Sequence, residues 1–313
     1  MTNEEKQSSA VQQSTWRLYF SLMRLQNFPV GTKLPFTSLV LGMFFGAQSI
    51  HLQSLESLYT KAGLWWSFTI IRHLMFCVWN DMCDRDIDRL VERTKNRPLA
   101  SGKISMQGAT GLLTILTLLS LWSLRVASGS THLFLLGLTG MVAFDMPYPL
   151  MKRWTNLPQL CLGATVAWPI PIAWMSVTGG SYDPLALTML GIAFGGSTFI
   201  LDTIYACQDR HDDIKVGVKS AAVLFGAHLR GALSVFATIV VTSFFVTGIA
   251  TGQGLCYFLV TVGGISMVFG WQLYTTDFSN NEQCWKALTA HSNRMNLMIW
   301  AGTFGDYALR SVF

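Results

Sequence analysis

Charged side chains are scarce in this sequence. Only 12% of its 313 residues are Asp, Glu, Lys or Arg, whereas 51% are hydrophobic. A soluble domain carries about 25% charged residues. The charges gather in a few loops, and the apolar stretches between them are about 20 residues long, enough to cross a bilayer as helices. The composition excludes an ordinary soluble protein and predicts an all-α, multi-pass integral membrane protein.

Several other signals are missing. The six cysteines do not form the CxxC pairs of a zinc site, and most lie in apolar runs where a thiol packs as a small hydrophobe. The sequence shows no basic groove with stacking aromatics, so we expect no nucleic-acid partner. Residues 1–27 have neither the Arg-rich composition of a transit peptide nor the apolar run of a signal peptide. We expect them to form a cytosolic tail, and the protein to reside in the endoplasmic reticulum.

The apolar stretches predict about nine transmembrane helices. They lie at residues 28–50, 63–79, 106–124, 131–147, 158–178, 185–206, 231–249, 253–273 and 294–310. Two GxxxG spacings, Gly42–Gly46 and Gly191–Gly195, predict close packing between helices. No linker or low-complexity segment interrupts the series, so residues 28–313 are expected to form one transmembrane domain.

Lys and Arg lie mainly in the loops after the second, fourth, sixth and eighth predicted spans, and the loops between are nearly uncharged. Positive charge stays on the cytoplasmic side of a membrane. We therefore expect the N-terminus and all four basic loops to face the cytosol.

An acidic cluster ends the second predicted span. Asn80, Asp84 and Asp88 are spaced i, i+4, i+8, which places them on one face of a helix, and Asp81 lies beside them. Carboxylates crowded in this way repel one another and favour a bound cation. Hard oxygen ligands suit Mg²⁺, which is commonly shared with substrate phosphates.

A second acidic cluster ends the sixth predicted span, on the same side of the membrane. Asp202, Tyr205, Asp209 and Asp213 are spaced i, i+3, i+7, i+11 and are expected to share a helix face, with Lys219 following. Two such faces at equivalent depth could meet across one cavity and hold Mg²⁺ against a diphosphate. A transporter using membrane acids as a proton relay fits less well, because those acids should lie at mid-membrane.

Further cations accompany these clusters. Tyr148 and Lys152 are spaced i, i+4 at the end of the fourth predicted span, so a phenol and an ammonium group point the same way. Arg93 and Arg97 follow the first acidic cluster and are suited to bidentate contacts with phosphate oxygens. All four side chains could stabilise a diphosphate as it gains charge on leaving.

In these motifs the chain resembles the UbiA superfamily of intramembrane prenyltransferases, most closely its 4-hydroxybenzoate polyprenyltransferase branch. The family's NDxxDxxxD motif is complete at residues 80–88, and RxxxRPLxSG follows at 93–102. YxxxK is met at 148–152, and DxxYxxxDxxxD at 202–213. The resemblance implies helices around a central cavity, capped by cytosolic loops, with Mg²⁺ and an isoprenyl diphosphate inside.

The resemblance also assigns roles to the motif residues. The expected catalytic residues are Asp81, Asp84, Asp88, Asp209 and Asp213, and these with Asp202 are the expected metal ligands. The expected diphosphate-binding residues are Asn80, Arg93, Arg97, Tyr148, Lys152, Tyr205 and Lys219. An allylic cation would remain after ionisation of a short-chain substrate such as farnesyl diphosphate. Aromatic faces could stabilise that cation, with Trp65, Trp66, Trp79, Trp168 and Trp174 as candidates.

One position departs from the family pattern. Aromatic-acid prenyltransferases usually carry an Arg seven residues before the motif Asn, in the acceptor pocket, but here that position is His73, next to Arg72. Neighbouring residues on a helix point about 100° apart. Two functions therefore stay open: prenyl transfer to a phenolic acceptor, or intramolecular cyclisation of farnesyl diphosphate by a UbiA-type terpene cyclase.

Overall fold

The structure is a computed structural model that describes residues 14–50 and 55–312. All regular structure in these residues is helical, which confirms the predicted all-α class. Residues 1–13 of the predicted tail lie outside the described residues.

Fourteen α-helices follow one another through the described residues. They are α1 (Thr15–Leu22), α2 (Val30–Ile50), α3 (Leu55–Asp88), α4 (Met106–Ser128), α5 (Thr131–Gly140), α6 (Tyr148–Trp154), α7 (Pro158–Ala167), α8 (Pro169–Thr178), α9 (Pro184–Ala206), α10 (Arg210–Val216), α11 (Ala221–Phe225), α12 (Leu229–Ala250), α13 (Gly263–Thr275) and α14 (Asn281–Val312). Two π-helical stretches, Met141–Asp145 and Tyr257–Val262, lead into α6 and α13.

Seven helical segments in the described residues are long and apolar enough to cross a membrane. They are Val30–Ile50, Met106–Ser128, Thr131–Trp154, Pro158–Thr178, Pro184–Ala206, Ala221–Ala250 and Tyr257–Thr275. The other two predicted spans fall within α3 and α14, which have 34 and 32 residues but are more polar. The count of nine spans is therefore not confirmed, and the difference lies in these two helices, which both carry polar residues of the cavity described below.

Two hydrophobic clusters form the core. One draws mainly on α9, α12, α13 and α14, and the other on α3, α4 and α5, while α2 and α8 contribute to both. The first acidic motif is on α3, and the second begins in α9 and continues past its end, so the two motifs belong to different halves of the core.

Glycines allow some of these helices to approach closely. A Cβ atom on Gly163 of α7 would lie 2.6 Å from the carbonyl oxygen of Gly195 on α9. A Cβ atom on Gly42 would lie 2.8 Å from the Ile170 side chain of α8. Both predicted GxxxG pairs thus include a glycine at a close helix contact.

Candidate active site

A cavity of about 400 Å³ lies between the two halves of the core. Its polar end is at the C-terminal ends of α3 and α9, where acidic and basic side chains line it. Along α3 the lining continues from Asp88 back to Thr69, about 19 residues or 28 Å at 1.5 Å per residue. Apolar side chains such as Leu34, Leu162 and Val166 line the rest, so the shape suits a ligand with a charged head and an apolar chain.

The first acidic motif lies in the last two turns of α3 and is buried. Asp81 and Asp84 are each 1% exposed and Asp88 is 6% exposed. Asn80, Asp84 and Asp88 line the cavity as the spacing predicts, and the Asn80 amide donates to Asp84 Oδ2 at 3.2 Å. The side chain of Asp86, in the same motif, is 85% exposed and pairs with Arg89.

The second acidic motif is built differently from the sequence expectation. α9 ends at Ala206, and a turn separates it from α10, so Asp202 to Asp213 do not lie along one continuous helix face. The turn nevertheless returns the chain to the cavity, which Asp202, Tyr205, Asp209 and Asp213 all line. Burial, together with the neighbouring Asp209 carboxylate, raises the pKa of Asp213 to about 7.

Basic side chains bind these carboxylates across the cavity. Arg97 Nη1 lies 2.7 Å from Asp88 Oδ2 and 3.3 Å from Asp81 Oδ1. Arg93 forms a bidentate pair with Asp209, with Nε 2.7 Å from Oδ1, and donates to the Tyr205 hydroxyl at 2.7 Å. The loop after α3 therefore joins the two acidic motifs.

The predicted Tyr148–Lys152 pair lies on α6. Lys152 Nζ is 2.7 Å from Asp84 Oδ2, and the Tyr148 hydroxyl lies beside the Asp202 carboxylate. Lys219 also lines the cavity, and its backbone N–H donates to the Lys152 carbonyl at 3.1 Å. These three residues meet at the polar end, as the sequence predicts.

Arg72 and His73 line the cavity further from the acidic motifs. Arg72 forms two bonds to Asp145, of 2.7 and 2.5 Å, and a third to the Thr165 carbonyl at 2.9 Å. His73 packs so closely under Gly31 that a Cβ atom there would lie 2.1 Å from the ring. Arg72 is thus neutralised by a protein carboxylate.

Arg24 is a site residue that the sequence analysis missed. Its Nη2 lies 2.5 Å from Asp81 Oδ1, it lines the cavity, and its backbone adopts a left-handed conformation with φ 59°. It belongs to the predicted cytosolic tail, and its one sequence signal is a cation just before the first apolar span. Part of that tail therefore helps to close the site.

None of the five predicted tryptophans lines the cavity as the structure describes it. Trp79 donates its indole N–H to the Met146 carbonyl and Trp168 to the Leu136 carbonyl, while Trp65 and Trp174 are buried in the core. Helical periodicity does not tell a cavity wall from any other packed face. The aromatic side chains in the lining are Phe76, Tyr148, Tyr205 and Trp285.

The carboxylates fit a divalent ion that is shared with a substrate. No three His, Cys, Asp or Glu side chains of the described residues converge closely enough to hold an ion alone. Two buried carboxylate oxygens, Asp81 Oδ2 and Asp84 Oδ1, however, have no hydrogen-bond partner. Unpaired oxygens of this kind are costly unless a ligand satisfies them, and Mg²⁺ typically completes its coordination with water and phosphate.

The fold and this site define an integral membrane enzyme whose helices enclose a cavity with a charged end and an apolar wall. The sequence profile of the UbiA prenyltransferase family matches residues 36–300. The UbiA prenyltransferase claS of Ampulloclitocybe clavipes is 36% identical over 95% of this chain and 93% of its own length. The mitochondrial 4-hydroxybenzoate polyprenyltransferase of Caenorhabditis elegans is 33% identical over 94% of this chain and 80% of its own length. The chain belongs to the UbiA prenyltransferase family.

Solved structures share the fold. An apo UbiA homolog from Aeropyrum pernix K1 superposes with a TM-score of 0.70 over 88% of this chain and 98% of its own, at 22% identity. A UbiA homolog from Archaeoglobus fulgidus bound to GPP and Mg²⁺ gives 0.66 over 91% and 98%, at 19% identity.

Proposed function

We propose that this enzyme ionises a short-chain isoprenyl diphosphate, such as farnesyl diphosphate, with the help of Mg²⁺ and transfers the prenyl group to an aromatic acceptor. The observation that carries the proposal is the pair of buried oxygens without hydrogen-bond partners on Asp81 and Asp84. Asp84 lines the polar end of the cavity, and both carboxylates pair with Arg or Lys side chains that line it too. The names of the two relatives, and the GPP and Mg²⁺ bound by the Archaeoglobus homolog, support it.

Cationic side chains would bind the diphosphate. Arg24, Arg93, Arg97 and Lys152 each pair with a carboxylate at the cavity's polar end. A diphosphate carries several negative oxygens, so these cations can turn from the carboxylates to the substrate without losing charge pairing. Lys219 lies close enough to join them, and Asn80, Tyr148 and Tyr205 would orient the charged groups through hydrogen bonds.

Carboxylates released from those cations would hold the metal. The proposed ligands are Asp81, Asp84, Asp88, Asp202, Asp209 and Asp213. Bound Mg²⁺ would neutralise charge on the diphosphate as it leaves. The Arg and Lys donors would add to that stabilisation beside carboxylates that are mostly buried.

The apolar wall would protect the allylic cation that remains. Leu34, Leu162 and Val166 offer no nucleophile, and water that reached the cation would quench it to an alcohol. Phe76 stacks on Tyr148 with ring centroids 5.3 Å apart, so an aromatic surface lies next to the acidic end, where the bond breaks.

A second candidate function is cyclisation without an acceptor. The observation that favours it is the Arg72–Asp145 pair, which leaves the expected acceptor region without an uncompensated cation for an aromatic acid. In that case the substrate's own double bonds would attack the cation and give a cyclic sesquiterpene.

Product analysis distinguishes the two functions. Purified enzyme would be incubated with farnesyl diphosphate and Mg²⁺, with and without a phenolic acid or a neutral phenol. We expect a prenylated phenol only when an acceptor is present. A cyclic hydrocarbon formed without any acceptor would overturn prenyl transfer in favour of cyclisation, and no diphosphate release under any condition would overturn both.

The cellular placement is also part of the proposal. We propose residence in the endoplasmic reticulum with the active site facing the cytosol, because the basic loops and the acidic motifs share one end of the helices. Cysteine labelling of the exposed Lys95 position in sealed microsomes would test this orientation.

A further inference from the structure

A second cavity of about 220 Å³ lies between α13 and α14. Val268, Gln272 and Thr275 line it from α13, and Gln283, His291 and Arg294 are among its lining residues on α14. It is separate from the active-site cavity, because Trp285, Leu288 and Ser292 line that one from another face of α14. One helix therefore forms a wall of both cavities.

Two buried polar side chains in this second cavity lack partners. His291 is 2% exposed, and neither of its ring nitrogens makes a hydrogen bond within the described part of the chain. Gln272 is 6% exposed, and both its amide nitrogen and its amide oxygen are unpaired there. A phosphate oxygen would accept from the Gln272 amide N–H and from an N–H of the His291 ring, and would remove that part of the cost of leaving these groups unsatisfied.

The charge around the cavity favours an anionic ligand. Lys286 and Arg294 line its exposed part, two turns apart on α14, and no Asp or Glu is in the lining. Lys286 pairs at 2.5 Å with Glu282, which lies outside the lining, while Arg294 follows His291 by one turn. Lys286 is already neutralised by Glu282, so Arg294 is the cation in the lining that would bind a phosphate.

The surroundings indicate that this phosphate is attached to a lipid. The outer face of α13 exposes Met267, Trp271 and Tyr274, at 70%, 63% and 84%. Trp and Tyr are enriched where a membrane meets water, and basic pockets between transmembrane helices bind lipid headgroups. A soluble anion would gain nothing from the exposed apolar face, whereas acyl chains could lie along it.

We propose that the cavity between α13 and α14 binds the headgroup of an anionic phospholipid, with Gln272, His291 and Arg294 as its polar contacts. This site does not depend on the proposed reaction. Because α14 also lines the active site, a bound lipid would hold Trp285 and Leu288 in place from the other side of the helix.

The test is thermal unfolding of the purified full chain in a neutral detergent, titrated with dioctanoyl phosphatidic acid. We expect a saturable rise in melting temperature, and at least a tenfold weaker apparent affinity in Arg294→Gln. The matched control is Arg125→Gln, the same change on an exposed residue of α4, which should leave the affinity unchanged. Arg93→Gln should also keep the response, since its cation lies in the other cavity.

A second variant separates binding from a structural role. Gln272→Leu removes an unpaired buried amide, so we expect a higher melting temperature without lipid and a loss of the response to phosphatidic acid. Stabilisation of the wild type by dioctanoyl phosphatidylcholine to the same extent would overturn the anionic headgroup. Equal stabilisation by inorganic phosphate would overturn the lipid, and an unchanged response in Arg294→Gln would overturn the site.

Discussion

At the scale of single residues, the site depends on buried carboxylates that keep one oxygen without a hydrogen-bond partner. Asp84 accepts from Asn80 and pairs with Lys152 through Oδ2, while Oδ1 has no partner. Its neighbour Asp86 belongs to the same motif but points into solvent. The same substitution at Asp84 and at Asp86 therefore separates the role of the buried carboxylate from the loss of one acid anywhere in the motif.

We expect Asp84→Asn and Asp209→Ala each to lower diphosphate release by about 100-fold or more, because each removes a proposed metal ligand at the leaving group. The measurement is diphosphate release by detergent-purified enzyme, with the melting temperature as a check on folding. Asp86→Asn is the matched control and should keep wild-type activity. Substantial turnover in a folded Asp84→Asn protein would contradict the metal assignment.

Arg24 gives a second residue-scale prediction. Hydrogen bonds to charged groups contribute about 1.5–3 kcal/mol, so Arg24→Gln should raise the KM for the isoprenyl diphosphate about tenfold or more. Arg17→Gln, an exposed arginine of α1, is the control and should leave KM unchanged. An unaltered KM in Arg24→Gln would mean that Arg24 serves only to neutralise Asp81.

The pKa of Asp213, raised to about 7 by burial and by Asp209, predicts a pH dependence. Below that pKa the carboxyl is protonated and cannot bind a cation, so proton and metal compete. The apparent Mg²⁺ affinity, measured from activity, should weaken by up to about tenfold between pH 7 and pH 6 and change less between pH 8 and pH 7. Asp213→Asn should flatten this profile, and a flat profile in the wild type would contradict the prediction.

The motif residues were predictable from the sequence because helical spacing brings i, i+4 and i+8 together. Asn80, Asp84 and Asp88 show this directly. Arg24 was not predictable in this way, since its contact with Asp81 spans 57 residues and depends on how α1 turns into α2.

At the scale of helices, close contacts between α7 and α9 position one side of the cavity. Gln159 of α7 and Asp202 of α9 both line it. The GxxxG spacing on α9 predicted that a neighbour would approach, but the identity of that neighbour required the structure. Likewise, the sequence suggested one continuous face from Asp202 to Asp213, whereas the helix ends at Ala206. Spacing alone does not show where a polar helix end gives way to a turn.

Gly163→Ala tests this contact, because the added methyl would overlap the Gly195 carbonyl. Overpacking of this kind costs about 1–3 kcal/mol, so we expect a lower melting temperature in detergent. Gly111→Ala on α4 is the matched control: a Cβ atom there meets no atom within 4 Å, and the melting temperature should not fall. Equal melting temperatures for the two variants would contradict the close contact.

At the scale of the whole molecule, the active site joins the two halves of the core. Arg93 reaches Asp209 across 116 residues of sequence, and Lys152 reaches Asp84 across 68. The topology of the charged loops indicated that both motifs lie on one side. The pairing of particular cations with particular acids depends on packing between distant helices, which one sequence does not reveal.

A ligand that spans both halves should stabilise the whole fold. A non-reactive thiolo analogue of farnesyl diphosphate, added with Mg²⁺ at about 100 times its Kd, should contribute about 2.7 kcal/mol. The rise in melting temperature should require both additions and should be lost in Asp209→Ala. Equal stabilisation by the analogue in the presence of EDTA would contradict a role for the metal in joining the halves.

The pairing of Arg24, Arg93, Arg97 and Lys152 with the acids has a consequence for the order of loading. If the metal binds alone, it must displace guanidinium and ammonium groups that then have no anionic partner. If the diphosphate binds alone, it must compete with the carboxylates for those guanidinium and ammonium groups. When both arrive together, each supplies the counter-charge that the other sets free. The substrate-free enzyme should therefore bind little Mg²⁺ at concentrations that saturate the enzyme once an isoprenyl diphosphate is present. The abundant free magnesium of the cell would then not by itself load the site.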